Sequence, residues 1–74
     1  MARSHPINAL VAIRVFAKAR WTITRLGSWT GVKAKHACSG GRWVAIPAKN
    51  RPLSRVELHG IRTKVRSFGM TPPI

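Results

Sequence analysis

Residues 54–57 read Ser-Arg-Val-Glu, a capping box in which a serine hydroxyl accepts from the amide three residues on and a glutamate reaches back to the serine's own amide. Two otherwise orphaned donors are satisfied reciprocally, which fixes where a helix begins. From there Leu58, Ile61, Val65 and Phe68 recur at three- and four-residue spacing and make one apolar stripe, with Arg62, Lys64 and Arg66 largely outside it. Gly69 suits the C-terminal cap, and Pro72 with Pro73 forbids continuation. A helix over 54–69 and a short tail over 70–74 are expected. Gly60 inside that helix costs about 1 kcal/mol relative to alanine.

Upstream, Ser4 and Pro6 offer a start for a first helix running to about Ala19, with Leu10, Ile13 and Phe16 or Ala17 at helical spacing. The same stretch, residues 1–20, is acid-free, Arg-bearing and amphipathic, as a mitochondrial targeting segment is. It leads into Trp21 without a linker and is read as an integral helix, with targeting as the alternative. From Trp21 the period changes to two. Trp21 and Ile23 point one way and Thr22 and Thr24 the other; Val32, Ala34, His36 and Cys38 then alternate with Lys33 and Lys35. Gly27 and Gly31 bracket the first turn, Ser39 to Gly41 mark a second, and Arg42 to Ala48 form a third strand that Pro47 ends or places at an edge. Residues 21–47 are thus a three-stranded meander. "PAKNRP" (residues 47–52) is the one linker-like stretch. The expected architecture is a single α+β domain over 1–74, in the order α-β-β-β-α, with two helices on one face of an antiparallel sheet and an open basic face opposite.

Seventy-four residues can bury only a thin core, which argues against multilayered architectures and buried cofactors. Fourteen Lys and Arg stand against one acid, Glu57, for a formal charge of +13. A polyanion relieves such self-repulsion; RNA, DNA or an anionic membrane surface would serve, with a nucleic acid the leading class. No apolar run approaches the ~20 residues of a transmembrane helix. Cys38 is the one cysteine, so no internal disulfide forms, and His5, His36 and His59 lack the spacing and carboxylates of a metal site. No cofactor and no metal are expected.

An aromatic before the first strand (Phe16, Trp21), Gly27-Ser28 at its end, the hairpin glycines Gly40 and Gly41, the run Val44 to Pro47, and Ile61, Val65, Gly69 and Met70 together resemble HicA. HicA-type proteins are small toxins of toxin-antitoxin pairs that cleave mRNA. The resemblance spans about Leu10 to Thr71 and implies a fold like the double-stranded-RNA-binding domain, an mRNA target, an acidic antitoxin partner and a cytoplasmic location. In that family a histidine on which cleavage depends follows the Gly-Ser closely; here Trp29 and Thr30 hold those positions. General acid-base cleavage needs a group titrating near the working pH. His36 could supply it only if the second strand brings it beside Ser28, so His36 and Ser28 are the catalytic candidates.

For binding, Trp29 in its glycine-flanked turn is expected to be an exposed stacking aromatic, whereas Trp21 and Trp43 are expected in the core. Lys33 and Lys35 on one strand face, with Arg25 and Arg42, are expected to form one phosphate-binding patch. Arg51, Arg55, Arg62 and Arg66 are expected to line the second helix and its start. His59 reads as a solvated helical histidine and Cys38 as a small strand-end residue.

The alternative reading is a structural rRNA-binding protein of an organellar ribosome, which extreme basicity and the presequence-like start also fit; its location would be mitochondrial. A cationic membrane-active peptide would leave the capping box and hairpin without purpose. A small inhibitor imitating a nucleic-acid substrate would normally be acidic.

Overall fold

The computed structural model describes residues 6–27 and 30–74. The order is α1 (Ala9–Lys18), β1 (Thr22–Arg25), β2 (Gly31–Lys35), a 3-10 turn (Ala37–Ser39), β3 (Trp43–Pro47) and α2 (Arg55–Ser67). The strands form one antiparallel sheet in the order β1-β2-β3, with Ile23 opposite Ala34 and Ala34 opposite Val44. The expected α-β-β-β-α domain is therefore the observed one.

Strand parity divides the sheet. Ile23, Val32, Ala34, Val44 and Ile46 share the face under the helices, where the last four are buried with Phe16, Trp21, Leu53, Ile61 and Val65. The opposite face carries Thr22, Thr24, Lys33, Lys35, Trp43 and Ala45. It is this open face, and the flanks of α2, that the fold leaves available for a partner.

The capping box at α2 is present in both directions: the Ser54 hydroxyl accepts from the Glu57 amide at 3.1 Å, and Glu57 Oε1 accepts from the Ser54 amide at 2.9 Å. Ile61 and Val65 are buried at the centre of the expected stripe, with Leu58 and Phe68 half-buried at its margins. Gly69 adopts φ +78°, the left-handed conformation its position requires.

The first helix departs from expectation in its start and at Leu10, whereas Phe16 is buried and Ile13 packs against the core as expected. Its cap is Asn8, whose side chain accepts from the Leu10 amide at 2.9 Å, while Ser4 lies outside the described residues. The buried positions are Ala9, Ala12 and Phe16, and Leu10 is 41% exposed. Small alanines let the helix lie close to the sheet and leave Phe16 to fill the gap. The helix ends in a Schellman arrangement, with the Trp21 amide donating to the Phe16 carbonyl at 3.1 Å and the Arg20 amide to that of Ala17 at 3.1 Å. The Phe16 and Trp21 rings meet edge-on at 5.0 Å, supplying the hydrophobic contact that accompanies such an end.

The linker-like stretch is not a free linker. The Ala9 amide donates to the Arg51 carbonyl at 2.8 Å, the Leu53 amide to that of Ile7 at 2.7 Å, and Asn8 Nδ2 to Asn50 Oδ1 at 3.1 Å. These bonds clamp the chain before α1 to the chain before α2. Among the described residues no helix is long and apolar enough to cross a membrane.

Candidate nucleic-acid interface

Lys33 and Lys35 emerge from β2 on the open face because their neighbours Val32 and Ala34 must point into the core. β3 obeys the same parity. With Val44 and Ile46 buried, Trp43 is forced outward, and it is 40% exposed. The expectation that Trp43 belongs to the core is thus corrected. Its size favours burial, but alternation with two fully apolar neighbours fixes its direction. Trp21, by contrast, is buried as expected. Lys33 Nζ sits 5.5 Å from the centre of the Trp43 ring, a cation-π distance, and Lys35 pairs directly across from Trp43.

Arg25 and Arg42 do not join this patch as expected. Arg25 pairs with Val32, so parity assigns it to the helix-covered face at the exposed end of β1. Arg42 turns toward the end of α2, donating from Nη1 to the Ser67 carbonyl at 3.3 Å with its guanidinium carbon 6.0 Å from the Phe68 ring centre. There it meets the negative end of the helix dipole.

Arg51 has an internal partner. Its two terminal nitrogens each reach one oxygen of the Glu57 carboxylate at 2.9 Å. That fork, followed by the bond from the Ser54 amide, lowers the Glu57 pKa from the ordinary 4.5 to about 2. The sole acid is consumed locally, so it subtracts little from the positive field elsewhere.

Arg55, Arg62 and Arg66 do come together, at i, i+7 and i+11, with His59 among them. They line one side of a groove of about 660 Å³ whose other side includes Pro6 and Ile7. Arg62 Nε also donates to the Ile74 carbonyl at 3.1 Å, and His59 Nε2 lies 3.4 Å from the Thr63 hydroxyl.

The expected catalytic pairing of His36 with Ser28 involves a residue outside the described ones, and only the His36 side of it is described. Thr22 pairs with Lys35, so His36 lies beyond that end of the hairpin, against Trp21, with ring centres 5.4 Å apart. The Arg25–Val32 pair is at the opposite end. Four strand steps separate Val32 from His36, or about 13 Å. His36 Nδ1 moreover accepts from the Cys38 amide at 2.9 Å and caps the 3-10 turn. That turn ends β2 at Lys35, so His36 and exposed Cys38 do not continue the alternation as expected. Ser28 and Trp29 lie outside the described residues.

Two residues beside this surface, Trp43 and Lys64, were not among the expected binding residues. Trp43 was legible from parity alone. Lys64 was not: it borders two hollows beside Trp43, about 480 and 450 Å³, and only the packing of α2 against β3 puts it there. Compared with protein families, curated proteins and solved structures, the chain finds no match in any of the three.

Proposed function

We propose that this chain is a small RNA-binding domain of HicA-like type that holds RNA through phosphate contacts and does not cut it. One observation carries the reading: Lys33 and Lys35 flank the exposed Trp43 on an open sheet face, while Glu57 is spent on Arg51. A face that combines cations with an exposed aromatic and lacks acids suits a polyanion whose units carry rings. The Arg55, Arg62 and Arg66 flank of α2 adds sequence-independent phosphate contacts. The α-β-β-β-α order is the one that the HicA resemblance implies.

Cleavage has weaker grounds. The histidine position after Gly27-Ser28 is filled by Trp29 and Thr30, and His36 has its Nδ1 engaged at the far end of the hairpin. The RNA is mRNA if the chain acts as a toxin relative with an acidic antitoxin, and rRNA if it is a ribosomal component.

Fluorescence anisotropy with a short labelled RNA tests binding. Affinity should fall steeply between about 50 and 200 mM salt, and an affinity independent of salt would contradict the proposal. The same RNA should remain intact on prolonged incubation; metal-independent cleavage that His36→Asn abolishes would overturn the non-cutting part.

A further inference from the structure

The seam between β3 and α2 contains two adjoining hollows that share Trp43 and Lys64 as a common wall. Their chemistry differs. The first, about 480 Å³, is bordered by Arg42, Ser67 and Phe68 and is flanked by the two cations Arg42 and Lys64. The second, about 450 Å³, is walled mainly by Ala45, Pro47, Val56 and Gly60, and Val56 is 81% exposed.

Gly60 lines the second hollow without contributing a side chain to it. It occupies the interior of α2, where glycine is unfavourable, and its φ is not in the left-handed region. A Cβ built there would meet nothing within 4 Å. Neither backbone conformation nor packing calls for glycine, and its effect is to keep the helix surface low opposite Trp43 and Pro47.

We propose that this seam is a subsite for an unpaired nucleobase, stacked on Trp43 over Gly60, with the adjoining phosphate held between Arg42 and Lys64. The proposal rests on the reading that the partner is RNA, and it narrows that partner to single-stranded segments. Lys33 over the indole leaves the ring electrostatically suited to a neighbouring phosphate, and a base stacks on any aromatic without sequence readout. Glu57 also borders the apolar hollow, but its charge is forked onto Arg51. That hollow therefore suits the uncharged base, and the cationic hollow beside it suits the phosphate. β3 is an outer strand, so backbone groups on its far side are available to the edge of a base. A duplex keeps its bases stacked inside and cannot deliver one to the seam.

The competing occupant is an acidic peptide adding as a strand to β3. Pro47 removes a donor from that edge, and such a peptide makes no use of the exposed indole.

The test measures wild type, Trp43→Ala and Gly60→Leu against a labelled single-stranded RNA, a duplex of equal length and a polyglutamate peptide, with circular dichroism to verify the fold. Leucine is a good helix former, and the site is open, so Gly60→Leu fills the hollow without unfolding α2. Both variants should lose at least about tenfold in affinity for the single strand and less than about twofold for the duplex. Equal losses for both RNAs, or no loss for either, overturn the subsite while leaving general RNA binding intact. Peptide binding that Gly60→Leu abolishes, with single-strand affinity unchanged, overturns it in favour of strand addition. Failure of the wild type to bind any RNA removes the proposed function itself.

Discussion

Arg51 places both terminal nitrogens of its guanidinium on the two oxygens of Glu57, each at 2.9 Å, and so ties the segment before α2 to the helix's own capping box. Because the Arg51 carbonyl also accepts from the Ala9 amide, the same residue links the starts of both helices. The one carboxylate side chain of a chain with formal charge +13 thus serves as a clasp, and no second acid side chain is available to the other cations.

The clasp makes a pH dependence. Glu57 has a folded pKa of about 2 against an ordinary 4.5, so its contribution to stability is complete above about pH 4.5 and is lost as pH falls toward 2. Thermal unfolding followed between pH 6 and 2 should show the midpoint dropping through that window. Glu57→Gln, which keeps a capping side chain but no charge, should start lower and lose less across the same range. A variant that loses as much as wild type would show that another group governs the acid limb.

His36 is a structural cap with its ring against Trp21. His36→Ala should therefore destabilise the domain by about 1 kcal/mol, whereas His36→Asn, which retains a cap acceptor, should recover part of that loss. Neither should change RNA affinity by more than about twofold once folded. Urea titration and anisotropy on the same samples separate the two effects.

Arg20 adopts φ +71° at the left-handed position that closes α1, where glycine is usual. A side chain there costs roughly 1 kcal/mol. Arg20→Gly should accordingly raise stability by about that amount, or about 4 to 8 °C in midpoint for a domain of this size. A lower midpoint would mean that the Arg20 side chain makes a stabilising contact outweighing the backbone strain.

Such features also mark what the sequence can disclose. The second helix was legible to within two residues because its cap and stripe are local, written in Ser54, Glu57, Ile61 and Val65. The first helix was legible in existence and at Phe16 and Ile13, but not at Leu10. Ranking residues by hydrophobicity selects Leu10, while packing against a close sheet selects Ala9 and Ala12. The open face was half legible, since Lys33 and Lys35 follow from alternation, and Trp43 follows too once parity is allowed to outweigh side-chain size. What no local pattern contains is the seam. Lys64, Gly60 and Trp43 meet only because α2 packs along β3, and Arg42 and Arg51 leave the expected patches for partners 25 and 6 residues away.

The open face should be measurable as a count of released counterions. For single-stranded nucleic acid, each phosphate neutralised contributes about 0.7 to the slope of log affinity against log salt. Lys33 and Lys35 project from a rigid strand beside Trp43, so both are held within reach of one backbone. Lys33→Gln combined with Lys35→Gln should flatten the slope by about 1.4 and weaken binding most at low salt. Removing Arg51 by Arg51→Gln should leave the slope nearly unchanged, because its charge is already matched by Glu57. If Arg51→Gln flattened the slope as much as the lysine pair, the basic surface would act only as a diffuse field, with no face set apart for RNA.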